Sequence, residues 1–469
     1  MRALLLLLAA VSGLSAQSAA PPLLVRLYPI ATDSHGRPVK DLTAADFKIT
    51  DQGKTETIFF FRPPVEPSQP LAAGEFANRP NGGMPQETAI LLDLMNESDA
   101  TRVDTWHTLA KSLPQIAPGD APFLYLLNLS GELLPVRGIA ASSQRTLEAD
   151  LNQAFEAANR AQPTGIDRED RAKRTYHALE MLANQLATLP GRRTIVWITS
   201  HMPIITNSLR CNGDWVDCGL YVAHTAVTLQ NDAVRVYPAS FSGVVQPDAS
   251  YDLEQIALLT GGRTILGPPV REALQQVALD SANAYEIFYA PEAQNRDNQF
   301  HRIRVTCRRS GVKLQVQERY YALPDSRTGQ QRQDEDLQSA FYRPADTSGI
   351  GLRVKVSPAA NGVHLEIRID LADLLLREQD GKYTGIVSVL LSDRGAQEPS
   401  KSGLMYRPLG NPAESDFRLN LTQTERDSQM RNGLAVSMDH PMATPKQRVR
   451  VIVMDRSTSQ IGTVTFAVR

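Results

Sequence analysis

The pattern of apolar and polar residues changes twice along the chain. Residues 23–61 alternate in short runs separated by turns such as Ser34-His35-Gly36, which predicts β-strands. Residues 89–289 instead contain continuous apolar runs that alternate with stretches whose apolar positions recur every three or four residues. That alternation predicts an α/β domain with an open, doubly wound sheet covered by helices on both faces. From Leu352 onward the strand pattern returns.

The α/β part has six candidate strands and six candidate helical stripes. The strands are short and apolar throughout, as expected for strands buried on both faces. The predicted strands are 89–92, 123–127, 194–198, 234–237, 264–266 and 285–289, and the stripes lie within 103–113, 147–158, 179–189, 221–229, 253–257 and 270–277.

The strands on either side of the α/β part are predicted to pair into one small β-subdomain, with the α/β domain inserted between its halves. In the second half, Ser310-Gly311 predicts a hairpin that joins residues 301–308 to 312–317. About seven short strands in the last part predict an immunoglobulin-like or fibronectin-like sandwich. The division is a signal segment 1–20, strands 21–62, a linker 63–85, the α/β domain 86–291, strands 292–323, a linker 324–340 and the sandwich 341–469.

The first residues predict export. Arg2 precedes an apolar run over residues 4–10 and then small residues up to Ala20, which is typical of a cleavable secretory signal. A bilayer span needs about 20 apolar residues, so this run is too short for one. A buried N-terminal helix is the alternative. We therefore expect a periplasmic or secreted protein without a transmembrane segment in its mature chain.

Charge and cysteine content narrow the function classes. Lys+Arg 49 against Asp+Glu 51 leaves no basic excess, which argues against nucleic acid as a partner. Cys211 and Cys218 enclose a polar turn, and in an oxidising compartment this spacing favours a local disulfide. A metal pair is the alternative. Cys307 is expected to be a buried free thiol, and His301 a half-exposed sheet residue.

Candidate binding residues follow the predicted strands. In an open α/β sheet, ligands bind beyond the carboxyl ends of the strands. Asp93 and Glu97 follow the first strand, and Ser200 follows the third. Such oxygen donors could hold a hard cation, Mg²⁺ or Ca²⁺. In the other interpretation, Asp93 only caps the sheet or accepts backbone N–H groups of the next helix.

Several motifs in order resemble a known family. The strand ending in Asp93, the strand Thr-Ile-Val-Trp-Ile-Thr at 194–199 and Leu-Leu-Thr-Gly-Gly-Arg-Thr at 258–264 are similar to a von Willebrand factor type A (vWA) domain. Residues 23–322 as a whole resemble the exported VWFA-related proteins of Acidobacteria; the C-terminal part is not covered. The flanking motifs that carry this resemblance are 33–39, 42–47, 51–54, 189–194, 300–305 and 320–321.

The resemblance implies binding without catalysis, through a degenerate metal site. Metal-binding members carry Asp-x-Ser-x-Ser in the first loop, and here Met95 and Glu97 stand where the serines belong. A thioether is a poor ligand for a hard cation. Ser200 stands where a later acid is expected, and Thr164 is the candidate for the middle-loop threonine. We therefore expect no cofactor.

Three functions are compatible with these residues. No Gly-x-Ser-x-Gly, His-Glu-x-x-His or phosphate-loop motif is present. The favoured hypothesis is a non-enzymatic, adhesion-like scaffold that binds a protein or cell-surface polymer at a crevice formed by Asp93, Met95, Glu97, Thr164 and Ser200. The alternatives are an extracytoplasmic hydrolase that uses carboxylates near Asp93 and Glu97, and a purely structural envelope component.

Overall fold

A computed structural model describes most of the chain after the predicted signal segment 1–20, which lies outside the described residues. The chain is mixed α/β, and most of its sheets are antiparallel. None of the described helices is long and apolar enough to cross a membrane. The described residues are 24–64, 70–80, 82–112, 122–139, 147–160, 166, 168–199, 217–240, 247–292, 296–343, 345–400, 403–441 and 448–468.

The helices and strands alternate in the middle of the chain, with strands predominating at both ends. The helices are α1 (Asp99–Ser112), α2 (Leu147–Arg160), α3 (Arg168–Leu186), α4 (Asp217–Asn231), α5 (Pro247–Thr260), α6 (Val270–Ala282), α7 (Gly329–Tyr342) and α8 (Gln423–Asn432). The strands are β1 (Val25–Leu27), β2 (Ile30–Thr32), β3 (Phe47–Asp51), β4 (Lys54–Glu56), β5 (Ile58–Arg62), β6 (Glu75–Ala77), β7 (Gln86–Asp93), β8 (Phe123–Leu127), β9 (Leu133–Arg137), β10 (Arg192–Ile198), β11 (Val234–Ser240), β12 (Ile265–Leu266), β13 (Glu286–Tyr289), β14 (Phe300–Cys307), β15 (Lys313–Gln315), β16 (Arg319–Tyr321), β17 (Leu352–Ala359), β18 (Gly362–Ile369), β19 (Arg377–Gln379), β20 (Lys382–Ser400), β21 (Gly403–Leu421), β22 (Leu434–Pro441), β23 (Arg448–Asp455) and β24 (Ile461–Ala467).

A six-stranded sheet forms the centre of the α/β part, in the order β12-β11-β10-β7-β8-β9. Its first five strands are parallel, and β9 returns antiparallel to β8. From β7 the chain first adds β8 and β9 on one side of the sheet. It then returns to add β10, β11 and β12 on the other side. The strand order reverses between the two central strands, β7 and β10, where Leu92 lies opposite Ile198.

Helices cover both faces of this sheet, and successive residues of β7 contact opposite layers. Ala89 and Leu91 pack with buried residues of α3, α4 and α5. Ile90 and Leu92 pack with α1, α2 and α6, where Trp106 and Phe155 stack at 4.5 Å between ring centroids. Two buried faces explain why residues 89–92 of this strand are all apolar.

Strands from both flanks of the α/β part pair with each other. Antiparallel ladders join β14 to β3 and β15 to β2. The run 285–289, expected as the last strand of the α/β sheet, instead supplies β13, which lies between β1 and β5. A short apolar run buried on both faces fits either sheet, so its period alone could not decide between them.

The predicted hairpin around Ser310-Gly311 is wrong. Gly311 makes a turn at φ 77, but β14 and β15 do not pair with each other. They belong to different sheets because their partners are β3 and β2, which lie more than 250 residues earlier in the chain. Turn residues predict that the chain reverses, but pairing depends on which apolar faces are available.

The C-terminal part consists of two antiparallel sheets that share one core. One has the order β22-β18-β17-β6; the other is β19-β20-β23-β24, with β21 also paired to β20. Strand β6 comes from the segment 63–85, which was predicted to be a linker. It is recruited because Phe76 stacks on Phe466 with ring centroids 5.0 Å apart, a long-range contact that local composition does not reveal.

The predicted linker 324–340 is also wrong, since most of it forms α7. Thr328 and Gln331 make a capping box at its start, a pattern that the sequence contains and that favours a helix there. The buried guanidinium of Arg450 donates to the carbonyls of Ala340 and Arg343 at the helix end. The polar helix α8 has the same kind of capping box and was not predicted either.

His301 is buried, not half-exposed as expected. Its Nδ1 lies 3.0 Å from Oδ1 of Asp51, and its Nε2 lies 3.1 Å from Oδ1 of Asp297. Tyr289 and Tyr320 donate their hydroxyls to Oδ2 of Asp51, at 3.1 and 2.8 Å. This network connects β3, β13, β14 and β16. Cys307, expected to be buried, is a half-buried free thiol.

A second buried network joins the three parts of the chain. Asp373, fully buried in the sandwich, is paired with Arg62 of β5 and with Arg79, whose Nη1 lies 2.8 Å from Oδ2. Arg79 also donates from Nε to the carbonyl of Ser348, at 3.1 Å. Gly351 donates its N–H to Asp373 at 2.7 Å, and a Cβ there would lie 2.9 Å from the Arg79 guanidinium. Only glycine fits this packing without displacement.

Glu286 of β13 extends the same network to the six-stranded sheet. Its Oε1 lies 3.3 Å from Nη2 of Arg192, the first residue of β10. Burial raises the pKa of this carboxyl, but Arg192, Arg62 and Arg79 together hold it below its usual value. The carboxylate therefore stays charged at the junction.

Asp373→Asn is expected to lower the free energy of unfolding by about 3–5 kcal/mol, because it leaves two buried guanidinium groups short of their counter-charge. Urea denaturation measures the loss. Asp380→Asn is the matched control: Asp380 is an exposed turn residue with φ 52, which asparagine tolerates, so its effect should stay within about 0.5 kcal/mol. Equal effects of the two changes would contradict the role given to Asp373.

His301→Gln is expected to cost about 1–3 kcal/mol, since it leaves a buried carboxylate with fewer donors. His364→Gln serves as control, because the His364 side chain is 37% exposed and contacts one exposed carboxylate, that of Asp439. Its cost should not exceed about 0.5 kcal/mol. Thermal unfolding of the two variants, side by side, would reject the network if His301→Gln were the milder change.

Candidate functional site

Asp93 ends β7 at the point where the strand order of the six-stranded sheet reverses, and it is completely buried. Its Oδ1 accepts the backbone N–H of Asn96 at 3.0 Å, and its Oδ2 accepts the Asn96 side-chain amide at 2.7 Å. Trp197 of β10 donates its indole N–H to Oδ2 at 3.1 Å. The carboxylate thus fixes the following loop to the neighbouring strand.

Two threonines extend this arrangement. Thr199, buried at the end of β10, also hydrogen-bonds to Asp93 through its side chain. Asn96 donates its amide to Oγ1 of Thr175 on α3 at 2.8 Å. The carboxyl ends of β7 and β10 are therefore tied to each other and to one covering helix.

The electrostatics of Asp93 favour its neutral form more than usual. Burial raises the pKa of this carboxyl to about 6, against the lowering effect of the donors from Asn96, Trp197 and Thr199. Hydrogen bonds stabilise the charged form, but they do not fully replace the water that burial removes.

Met95 and Glu97, in the loop after β7, also point into the protein. Met95 is 6% exposed and packs in the same apolar cluster as Leu91. Glu97 is 8% exposed and interacts electrostatically with Arg102 of α1, where burial lowers the pKa of the guanidinium and Glu97 partly offsets this. Neither side chain is presented to solvent at the strand ends.

Several predicted site residues lie outside the described residues. They are Thr164, Ser200, and Cys211 of the predicted disulfide, together with the side chain of its partner Cys218. Ser200 follows Thr199 directly, so its chain position is adjacent to the Asp93 site.

The side chains around Asp93 do not form a site for a hard cation. Both carboxylate oxygens face N–H groups, Met95 offers a thioether in the core, and Glu97 faces Arg102. In the part of the chain that the structure describes, no group of three or more His, Cys, Asp or Glu is placed to hold a metal ion.

Asn96, Thr175 and Trp197 were not predicted as residues of this site. Asn96 was visible only as part of an Asn-x-Ser pattern, and Trp197 as one apolar residue in a buried strand. Their role depends on contacts across 79 and 104 positions of the chain, between α3 and the loop and between β10 and β7. No local pattern reports such contacts.

No family model and no curated protein matches the sequence. Among solved structures, the chain is similar to the TFIIH p34 N-terminal domain at a TM-score of 0.28 and 12% identity, over 41% of this chain and 96% of that one. It is also similar to the PilB minor pilin from Streptococcus sanguinis, at 0.27 and 15% over 42% and 60%, and to human COPII-coat protein Sec24c, at 0.24 and 10% over 82% and 44%. At these scores the similarities decide neither fold family nor function.

Asp93→Asn should change how stability depends on pH. Because the folded pKa is raised from 3.8 to about 6, the folded parent holds a proton between these values that the unfolded chain releases. The parent therefore loses stability as pH rises through this window, and the non-titrating variant does not lose this contribution. The free energy of unfolding of the variant minus that of the parent should rise by of order 1–3 kcal/mol from about pH 4 to about pH 6. Urea titrations at several pH values measure it, and a difference that stays constant would refute the assignment.

Proposed function

We propose that this chain is an exported, non-enzymatic binding scaffold with a vWA-like, doubly wound α/β domain and a degenerate metal site. Its partner, a protein or a cell-surface polymer, binds at the rim formed by the carboxyl ends of β7, β8 and β10. The immunoglobulin-like or fibronectin-like sandwich supplies spacing or a second contact.

One observation carries the proposal. The strand order reverses between β7 and β10, and ligands of open α/β sheets bind in the crevice at such a point. Asp93 lies there, but its oxygens are taken up by the loop and by Trp197. The carboxylate thus shapes the rim and leaves no oxygen directed at a substrate, which favours binding over catalysis.

The hydrolase alternative has less support. General acid–base catalysis needs a carboxyl group within hydrogen-bond reach of the substrate. Asp93 is 0% exposed and Glu97 is 8% exposed. Among the described residues, no specific contact favours the hydrolase and none favours a purely structural envelope component.

The proposed compartment is the periplasm or the outside of the cell. It depends on the signal segment 1–20 and on the pattern of Cys211 and Cys218. Mass spectrometry of the mature, non-reduced protein checks both features, since cleavage and a disulfide each change the mass.

The binding rim can be tested with two alanine-to-arginine changes at opposite ends of the same sheet. Ala100 is exposed in the first turn of α1, directly after the Asp93 loop. Ala278 is exposed in α6 near Gln86, where β7 begins. Ala100→Arg should weaken binding by roughly tenfold or more, because it places a bulky charge at the interface, and Ala278→Arg should leave binding unchanged.

The measurement starts by crosslinking the protein in envelope extract and identifying the partner. Affinities of the purified pair are then compared for the parent, both arginine variants and Ser200→Ala. Binding that tolerates Ala100→Arg and fails with Ala278→Arg would move the interface to the other end of the sheet and overturn the proposal.

A further inference from the structure

An antiparallel sheet in the flanking β part exposes one face that carries positive charge. Its order is β16-β14-β3-β4. The other face is buried, since His301 and Ile303 of β14 and Phe47 and Ile49 of β3 all point into the protein. Residues between them in sequence therefore point outward.

The outward positions of these strands hold four cations and no carboxylate. The register places Arg302 opposite Arg319, Arg304 opposite Thr50, and Lys48 opposite Thr306. All four cations are exposed. We call Lys48, Arg302, Arg304 and Arg319 the basic row. The remaining positions on this side of the strands are Thr50, Thr55, Phe300, Thr306 and Tyr321. At one end of the face Phe300 packs against the core of the α/β part and Tyr321 is half-buried, so the exposed part of the face is the one that carries the basic row.

The basic row is unusual for this chain, whose formal net charge is −2. Like charges directly opposite on neighbouring strands destabilise a sheet, yet Arg302 and Arg319 occupy such a pair. Asp46, two residues before Lys48, is engaged by Thr43 at 2.8 Å and lies 3.9 Å from Arg309. An arrangement that costs stability in the free protein becomes favourable when an anion neutralises it.

The geometry of the basic row indicates a linear ligand. Alternate residues along a strand are roughly 7 Å apart, and neighbouring strands are roughly 5 Å apart. Arg302, Arg304 and then Lys48, opposite Thr306, follow the direction of β14 in such steps. The exposed hydroxyls of Thr55 and Thr306 offer hydrogen bonds to a hydroxylated polymer. The half-buried hydroxyl of Thr50 donates to the carbonyl of Arg304 at 3.5 Å and still has its oxygen as an acceptor.

We propose that this face binds an acidic polysaccharide, whose carboxylates pair with the basic row while its hydroxyl groups contact the threonines. Arginine suits this ligand, since its planar guanidinium can hold a carboxylate with two hydrogen bonds. The site is separate from the Asp93 rim and does not depend on the function proposed there.

Other polyanions fit less well. Membrane-surface binding uses apolar side chains that enter the lipid, and no fully exposed apolar residue occupies an outward position of this sheet. Single-stranded nucleic acid stacks on open aromatic rings, but Tyr321 is half-buried and packs edge-on against Phe300 at 5.0 Å.

The test measures binding of polygalacturonate by isothermal titration calorimetry at low and moderate salt. Replacement of Arg302, Arg304 and Arg319 together by glutamine should weaken binding by roughly tenfold or more and flatten its salt dependence, because fewer cations release counterions. Neutral dextran should not bind the parent. Replacement of the same three residues by lysine should keep part of the affinity, since the charge remains.

The matched control removes three exposed arginines from the sandwich and should bind like the parent. Its changes are Arg368→Gln, Arg418→Gln and Arg431→Gln. Thermal unfolding of both triple variants checks folding, and the basic-row variant should be no less stable than the parent because Arg302 and Arg319 no longer repel each other. Equal binding by the parent and the basic-row variant, equal loss in the control, or stronger binding to anionic vesicles or single-stranded DNA than to polygalacturonate would each overturn the proposal.

Discussion

The relative arrangement of the flanking β part, the six-stranded sheet and the sandwich depends on the ion network around Asp373. Arg62 comes from the flanking β part, Arg79 from the segment between that part and the six-stranded sheet, and Asp373 from the sandwich. Glu286 and Arg192 continue the network to the start of β10. Burying charges costs free energy unless each meets a partner, so these residues can be buried together only in the arrangement that pairs them. This requirement holds three otherwise separate cores in one relative position.

The same principle operates at two other buried carboxylates. Asp51 gathers two tyrosine hydroxyls and His301, and so connects four strands of the flanking part. Asp93 gathers Asn96, Trp197 and Thr199, and so fixes the rim of the six-stranded sheet. At Asp93 the carboxyl group stabilises the shape of the site, which is why we infer binding and not chemistry. The basic row differs from all three, because its cations are exposed and lack compensating charge on their own face.

Two surfaces with different chemistry follow from this organisation. At the Asp93 rim the polar groups face into the protein, so what this surface presents to a partner is its shape. The sheet formed by β16, β14, β3 and β4 presents positive charge and hydroxyl groups. The two proposed interfaces belong to different sheets, so the two proposals together let one molecule hold a protein at one interface and a polymer at the other. Changes in one should therefore leave the other intact.

The sequence by itself determined the local elements of the α/β part, because continuous apolar runs and helical stripes report burial directly: β7, β8, β10 and β11 lie where the pattern places strands. It also placed Asp93 at a strand end. Only the tertiary structure decided that β13 leaves the α/β sheet, that β14 and β15 separate, and that β6 joins the sandwich, since pairing depends on residues far away in the chain. The sequence contains the capping boxes of α7 and α8, but both segments are polar and were therefore not predicted to be helices. The partners of Asp93, Asp373 and His301 could not be predicted from the sequence. A polar or charged side chain requires a protein partner only where folding removes its water, and the sequence does not show which side chains become buried together.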